Sequence, residues 1–291
     1  MKRTKTILAA VLACVLLAGC ASDTAPAEET KPAAIPETTA AAPETVAVIP
    51  ETEAPAELTE ETEVPDGTEA PFEVTVTPVI TEDQTQVTVA TADEFLAAIA
   101  PNTEIIVDTE LMDLSKAAGY GTASSDYYRW VETFDGPELY IAGVSNLTIR
   151  GAGEDHNAVV ISAQPRYANV LNFENCSNIM VKGLTAGHAE EPGSCAGGVL
   201  CFMNSQDVLV EDCGLFGCGT LGVKGYNSKN MQIVNNDIYE CSIGGVEFTN
   251  CDAVNVDGNL FRDLGGPIFR VYDCGSITCN GVSVHDFMRQ Q

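Results

Sequence analysis

Apolar side chains recur at fixed intervals over the last two-thirds of the chain. Four segments align without gaps and begin 23 residues apart, at Asp207, Asn230, Ala253 and Ser276. Two longer units, of 32 and 29 residues, precede them. A repeat of this kind predicts a solenoid, in which each unit packs on the next and extra residues form loops on one side.

Within each unit the apolar positions fall into short runs with a spacing of two. Residues two apart share one face of a strand, so the runs predict three short strands per unit, which make one coil of a β-helix. The helical period is missing, and so is the leucine and asparagine spacing of a leucine-rich repeat. The main columns are Leu147, Ile179, Val208, Met231, Val254, Ile277 in the first strand, Leu215, Ile238, Phe261, Val284 in the second, and Val199, Val223, Val246, Phe269, then Phe202, Gly225, Phe248, Val271 in the third.

A polar column marks one corner of the predicted coil. Asparagine tolerates left-handed backbone and can bond to the neighbouring turn, so it suits a repeated corner. The column consists of Asn175, Asn204, Asn227, Asn250 and Asp273. With this column and its stacked apolar columns, the chain resembles the pectate-lyase-like superfamily from about residue 138 to residue 287. The resemblance implies an all-β, right-handed parallel β-helix, and it does not imply a function.

The two ends of the solenoid differ in the sequence. Thr91 is a suitable N-cap for a short amphipathic helix, and Thr103–Val107 is predicted as the first strand. Together they would form an N-terminal cap, which an open stack of strands needs. The last coil stops at Phe287 after half a turn. No matching cap follows, so that end is either frayed, covered by a partner, or protected only by its charges.

The first residues have the pattern of an export signal. Three basic residues precede an apolar run over residues 7–18 that is too short to span a bilayer. The run ends in Leu17-Ala18-Gly19-Cys20, which resembles the lipobox of bacterial lipoproteins. The resemblance implies a signal peptide over residues 1–19, a lipid on Cys20, and an extracytoplasmic protein anchored to the membrane and exposed at the cell surface. An ordinary signal peptide followed by a chance cysteine is the alternative.

Residues 20–86 are rich in Pro, Thr, Ala and Glu and are predicted to be a disordered tether, because they cannot bury enough apolar surface to fold. An extended chain of this length reaches up to ~200 Å, which suits a thick, Gram-positive-type wall. The β-helix domain is predicted over residues 87–291. The net charge is −28, and neither region has an excess of bases, so nucleic acid is excluded as a partner.

Nine cysteines remain after the signal peptide and Cys20, and most fall in columns. The absence of a Cys-x-x-Cys pair argues against a zinc ribbon. Stacked cysteines of an exported protein could form disulfides. Parallel Cβ vectors suit that bond poorly, so we expect most of them to be reduced, buried and small enough for narrow corners. The columns are Cys195, Cys218, Cys241 and Cys251, Cys274.

The chain lacks a recognisable catalytic set. The resemblance implies clustered aspartates with an arginine or lysine base in calcium-dependent lyases, and Asp pairs with His and Arg or Lys in hydrolases. Asp212 and Asp237 lie two columns out of register, so no catalytic residue is carried over. No metal or other cofactor is predicted, and calcium enters only if the protein is a lyase. His188 with Glu190 and Glu191 could bind a metal or move a proton, although a solvated loop is favoured.

An aromatic segment before the first regular coil is a candidate ligand site. It contains Tyr128 and Trp130, whose rings could form a platform for sugars. The alternative, which we favour, is that the rings cover the side of the first coils as a satellite cluster.

The sharpest site hypothesis concerns one outward column of the third strand. By strand alternation Lys224, Glu247 and Arg270 face outward, with Tyr226 and Tyr272 two residues further on. Such a stripe suits an extended polysaccharide, with sugar rings over the tyrosines and hydroxyls on the charges. The alternative is a ladder of exposed ion pairs worth ~0–1 kcal/mol each.

These features are compatible with more than one function. A surface module that binds carbohydrate or another surface ligand is the first prediction, because the tether, aromatic segment and missing catalytic set agree with it. A polysaccharide lyase or glycoside hydrolase is the alternative, and a structural spacer is the second alternative.

Overall fold

The computed structural model describes residues 83–188, 196–216 and 220–285. Over these residues the chain forms a right-handed parallel β-helix in which each full coil contributes one strand to each of three sheets. Sheet A has nine strands, sheet B six and sheet C seven. The fold predicted from the 23-residue repeat is confirmed.

The strands are short and succeed one another in the order A, B, C through the regular coils. One α-helix, α1, spans Ala92–Ala98, and single 3-10 turns lie at Leu114–Lys116 and His156–Ala158. In chain order the strands are β1 Thr85–Val89, β2 Thr103–Val107, β3 Leu111–Asp113, β4 Tyr128–Glu132, β5 Pro137–Ala142, β6 Ser145–Gly151, β7 Val160–Ala163, β8 Leu171–Glu174, β9 Ser177–Lys182, β10 Thr185–His188, β11 Leu200–Met203, β12 Gln206–Glu211, β13 Gly214–Phe216, β14 Leu221–Tyr226, β15 Lys229–Val234, β16 Asp237–Tyr239, β17 Gly244–Thr249, β18 Asp252–Asp257, β19 Leu260–Arg262, β20 Phe269–Tyr272, β21 Ile277–Cys279 and β22 Val282–Ser283.

The core is a set of apolar columns inside the solenoid. In sheet A, Val208 pairs with Ile179 on one side and Met231 on the other, and all three are fully buried. One assignment in sheet C is wrong, because Leu200 and not Val199 lies opposite Val223. Both side chains are fully buried, so their hydrophobic character could not distinguish the two positions.

The predicted asparagine column forms a ladder at the corner between sheets C and A. All five residues have a positive φ, between 49° and 54°. Nδ2 of Asn227 donates to Oδ1 of Asn204 over 3.2 Å, and Asn250 donates in the same way to Asn227. Left-handed backbone turns the chain sharply, and the amide bonds join successive coils.

Two further ladders were not predicted. At the start of the sheet A strands, Nδ2 of Asn230 donates to Oδ1 of Asp207 over 2.6 Å, and both residues have a positive φ. At the A–B corner, Asn236 is buried, and its Oδ1 accepts from the backbone N–H of Cys213 over 2.9 Å. The Asn236 Nδ2 donates to the Val210 carbonyl over 3.0 Å. Polar side chains therefore stabilise several corners of the coil.

The N-terminal end is covered as predicted, but the first strand is not the predicted one. Thr91 and Glu94 form a capping box at the start of α1. Strand Thr85–Val89 precedes the helix and pairs in parallel with Thr103–Val107, which is therefore the second strand. The threonine-rich run of β1 continues the composition of the predicted tether, so composition alone did not identify it as a strand.

The C-terminal end is partly closed by a hairpin. β22 turns back antiparallel on β21, so Val284 does not continue sheet B as predicted. The turn is Asn280-Gly281, with φ values of 50° and 75°. Two successive residues with positive φ give a tight hairpin turn, for which Asn-Gly is the preferred sequence. Phe287 lies outside the described residues.

Candidate functional site

The outward stripe predicted on sheet C is present and in register. Lys224 pairs with Glu247, and Glu247 pairs with Arg270 in the next coil. Tyr226 and Tyr272 occupy the neighbouring outward column, on either side of Thr249. β14, β17 and β20 thus bring the five predicted residues together on the outer face of sheet C.

Glu247 is the centre of a hydrogen-bonded group. Its Oε2 accepts from Nε of Arg270 over 2.9 Å, and its Oε1 accepts from the Tyr226 hydroxyl over 2.8 Å. Burial raises the pKa of Glu247, but the bonds from Arg270 and Tyr226 outweigh burial and lower the pKa below its usual value. Burial and the Glu247 charge raise the pKa of Tyr226. At neutral pH the carboxylate is therefore ionised and the phenol protonated.

Lys224 does not complete the predicted ladder of ion pairs. Within the described residues, no carboxylate oxygen lies within 4.0 Å of its ammonium nitrogen. The side chain is half-buried and runs over Gly198, where an added Cβ would lie 2.7 Å from Cε of Lys224. Burial lowers the pKa of Lys224, although the charges of Glu247 and Glu138 act in the opposite direction. A lysine in this setting can act as a base at a pH where exposed lysines are charged.

The Lys224 column continues toward the N-terminus as a buried polar row. Cys201 lies opposite Lys224, Asn172 opposite Cys201, and Tyr140 opposite Asn172. Asn172 is fully buried, and burial raises the pKa of Cys201 to about 12. The thiol is therefore protonated at neutral pH and is not a nucleophile.

Glu138 is a buried carboxylate beside this row that the sequence did not reveal. Its Oε2 accepts from the backbone N–H of Asn169 over 2.8 Å and from Nδ2 of Asn172 over 3.2 Å. Burial and the Glu138 carboxylate raise the pKa of Tyr140. No local motif indicated Glu138, because its partners are about 30 residues away along the chain.

Arg129 ends the outward row in sheet C. It pairs with Tyr140 across the β4–β5 hairpin, and its guanidinium lies 4.9 Å from the centre of the Tyr140 ring. Nη2 of Arg129 is 2.6 Å from Oε2 of Glu174. The outer face of sheet C is thus lined by charged and aromatic groups over several coils.

Tyr128 and Trp130 do not join this face. Tyr128 lies opposite Ile141 and Trp130 opposite Leu139, and both partners belong to the core. The two rings pack against the core, and Trp130 contacts Tyr120 edge-on at 4.9 Å between ring centres. The rings therefore lie as a satellite cluster against the core, since the alternation of β4 turns Arg129 outward and the rings inward. A role for them as a sugar platform stays a prediction.

His188 is not on a solvated loop. It is the last residue of β10, is buried, and has Nε2 2.7 Å from the carbonyl oxygen of Ala168. The strand therefore includes Ala186, Gly187 and His188, three residues that the Gly and Pro content of the region had assigned to the loop. Its suggested partners Glu190 and Glu191 lie outside the described residues, as does Cys20.

The cysteines of the described ranges are free thiols, and all but Cys274 are buried, as predicted for small corner residues. Cys195 and Cys218 lie outside those ranges. Over the same ranges, no group of three or more His, Cys, Asp or Glu side chains could hold a metal ion. None of the helices described there is long and apolar enough to cross a membrane.

The three-sheet coil with its corner ladders defines a parallel β-helix protein. A sequence profile of the family described as "Right handed beta helix region" matches residues 135–288, and the chain belongs to this family. A search of curated protein sequences found no match.

Solved structures with a similar backbone include two lyases. An alginate lyase from Paenibacillus sp. str. FPU-7 is 14% identical with a TM-score of 0.41, and the alignment covers 69% of this chain and 69% of the lyase. A pectate lyase variant from Xanthomonas campestris is 12% identical with a TM-score of 0.42, covering 68% of this chain and 70% of the other. Neither likeness transfers a substrate or a catalytic residue to this chain.

Proposed function

We propose that the protein processes an acidic polysaccharide on the outer face of sheet C, as a lyase that uses Lys224 as its base. One observation carries the proposal. Lys224 is half-buried and has no carboxylate within 4.0 Å in the described part of the chain, while its neighbour Glu247 is already bound by Arg270 and Tyr226. A residue kept only for a surface ion-pair ladder would contact Glu247 itself.

The reaction is a β-elimination at a uronate residue of the polysaccharide. The neutral amine of Lys224 removes the proton next to the sugar carboxylate, and the electron pair forms the C4–C5 double bond. The glycosidic oxygen at C4 leaves with its bonding electrons and takes a proton from the ammonium formed on Lys224. Arg270 supplies a nearby positive charge for the carboxylate on which negative charge develops. The described residues offer no cluster of carboxylates suited to calcium, so no step is assigned to a metal.

The test is an assay for unsaturated sugar ends. Full-length protein is incubated with polygalacturonate, alginate and hyaluronan, with and without calcium, and ultraviolet absorbance of the products is followed. Lys224→Met should reduce turnover by about 10²–10⁴-fold, the usual contribution of a general base. Lys229→Met, which removes an exposed lysine at the neighbouring corner, is the matched control and should leave turnover unchanged. Equal turnover of wild type and Lys224→Met would overturn the proposal.

Binding without catalysis is the second candidate, and the same face supports it. Tyr272 is 45% exposed, and Arg270 lies 5.8 Å from the centre of its ring, while Tyr226 occupies the same column. If the protein only binds glycan, no substrate yields unsaturated ends. The double change Tyr226→Ala and Tyr272→Ala would then abolish glycan binding, while the domain still gives a cooperative melt.

We also propose that the protein is exported and anchored through a lipid on Cys20, with residues 20–86 as a tether. The support is the lipobox-like Leu17-Ala18-Gly19-Cys20 after a short apolar run. In cells, Cys20→Ser should either release the protein into the medium or leave it unprocessed, as seen by fractionation and mass spectrometry. Unchanged processing and membrane retention would contradict a lipid anchor.

A further inference from the structure

A groove lies at the corner between sheets A and B, away from the sheet C face. Its volume is about 460 Å³, within the usual range for small-molecule sites. It runs past the ends of three consecutive sheet A strands, β6, β9 and β12. Its lining includes Arg150, Lys182, Gly183, Glu211, Asp212 and Asn235.

One wall of the groove is an insertion that is fixed in place. The residues between β6 and β7 lengthen the first regular coil and include the 3-10 turn His156–Ala158. Nδ1 of His156 lies 3.2 Å from Oδ1 of Asp212, which is 56 residues later in the chain. The Thr185 hydroxyl donates to the His156 carbonyl over 3.1 Å. Insertions in solenoids often build a binding face, and this one is tied to two later coils.

Two cations stand side by side in the groove. Arg150 and Lys182 occupy the same outward column of sheet A. Nε of Arg150 is 2.6 Å from Oε1 of Glu104, and Nη1 donates to the Gly151 carbonyl over 3.1 Å, which orients the guanidinium. Within the described residues, no carboxylate oxygen lies within 4.0 Å of the Lys182 ammonium. Such a pair is notable in a chain with a net charge of −28.

Beyond Arg150 and Lys182, the groove is lined by the hydrogen-bond acceptors Glu211 and Asp212. Glu211 follows Lys182 in the same column, and the Asp212 side chain is 55% exposed. Gly183, between them and Arg150, has a φ of 59° and open space where a Cβ would be. The floor is therefore bare backbone, with cations at one end and carboxylates at the other.

We propose that this groove binds a carboxylate-bearing sugar, a hexuronate unit of a glycan. The sugar carboxylate lies between Arg150 and Lys182, and ring hydroxyls donate to Glu211 and Asp212. Glu104 already offsets the charge of Arg150, so Arg150 and Lys182 together present one uncompensated positive charge, which matches a single carboxylate. A doubly charged phosphate would exceed that charge and would be repelled more strongly by Glu211 and Asp212. The bare floor at Gly183 admits the flat face of a sugar ring. The site uses none of the sheet C residues, so it stands whether or not Lys224 is catalytic.

Calorimetric titration of the full chain with trigalacturonate tests the proposal. Lys182→Met should weaken binding at this site at least tenfold, and Lys229→Met, another lysine on the outer side of sheet A, should have no effect. Because the trisaccharide can also occupy the sheet C face, the titration is repeated on Lys224→Met. The binding component that Lys182→Met removes should persist in Lys224→Met. Failure of this site and failure of the lyase proposal therefore give different results.

A second variant guards against an indirect effect of Lys182→Met on folding. The next corner residues, Asp212 and Asn235, also have a positive φ, so Gly183→Asn keeps the backbone while filling the floor. It should block trigalacturonate at an unchanged melting temperature. Maltotriose, which lacks the carboxylate, should not bind. The proposal is overturned if Lys182→Met and Gly183→Asn bind trigalacturonate as wild type does, or if inorganic phosphate binds as tightly as the trisaccharide.

Discussion

Lys224 and Lys229 are only five residues apart, but their positions in the coil give them different exposure to solvent. Lys229 is exposed at a corner. Lys224 is half-buried on a strand between the buried residues Val223 and Gly225, and burial lowers its pKa. Glu247 opposes this shift, because a negative charge beside an amine favours the charged form. The charge of Glu247 therefore raises the pH at which Lys224 becomes neutral, in opposition to burial.

Glu247→Gln is expected to move the pH profile of the proposed lyase reaction. A neutral lysine is required, so activity rises as the pH passes through the pKa of Lys224, which is below its ordinary 10.5. Removing the Glu247 charge lowers that pKa further, and the rising limb of kcat should shift to lower pH. The loss of the Arg270 bond should also reduce the free energy of unfolding by about 1 kcal/mol.

Glu104→Gln is the matched control for this change. It removes a comparable partly buried pair, with Nε of Arg150 2.6 Å from Oε1 of Glu104, on sheet A. Its effect on stability should be similar, and the pH profile of activity should stay in place. A profile that does not move in Glu247→Gln would show that Glu247 does not control the base.

The corner ladders are the elements that hold successive coils in register. Asn227 has a φ of 49° and bonds through its amide to Asn204 and Asn250. The side chain therefore stabilises the coil in two ways, by tolerating left-handed backbone and by joining neighbours. Substitutions can separate these two contributions.

Asn227→Ala should reduce the free energy of unfolding by about 2–3 kcal/mol, because it loses both amide bonds and because alanine adopts left-handed backbone less readily than asparagine. Asn227→Gly loses the same bonds but adopts the positive φ readily, so a smaller loss of about 1–2 kcal/mol is expected. Urea unfolding of both variants measures the difference. Equal losses in the two variants would mean that backbone conformation contributes nothing at this corner.

At the scale of the whole molecule, the N-terminal strand and helix close one end of the solenoid. Phe95 of α1 is fully buried, and β1 pairs along its length with β2. Sheet A therefore starts at Thr85 and not at residue 87, where the predicted domain began. Without β1 and α1, the core side of β2 and the edge of sheet A would be open to solvent.

A fragment of residues 83–291 should fold without the preceding chain and give a cooperative melt with β-type circular dichroism. A fragment of residues 103–291, which lacks β1 and α1, should aggregate or melt at least about 10 °C lower, because it exposes the core that Phe95 covers. Matching melts for the two fragments would show that the cap is dispensable. A non-cooperative melt of residues 83–291 would mean that earlier residues are needed for folding.

The repeat could be recognised in the sequence because each coil places equivalent residues in the same surroundings. The 23-residue step, the apolar columns of sheet A and the Asn175 column all follow from alternation along a strand and from the backbone demanded by a corner. The same alternation predicted the outward Lys224 stripe. These features depend on residues close in sequence and on their repetition, so they needed no knowledge of long-range contacts.

Other features were decided only when the coils stacked. Glu138 meets Asn169 and Asn172, and His156 meets Asp212, across separations of about 30 to 56 residues, because strand register and loop path bring them together. The burial that lowers the pKa of Lys224 likewise depends on groups from several coils. The amino-acid sequence by itself determined the coil and its columns, whereas the charges and cavities at the two candidate sites depend on contacts between coils that no local pattern encodes.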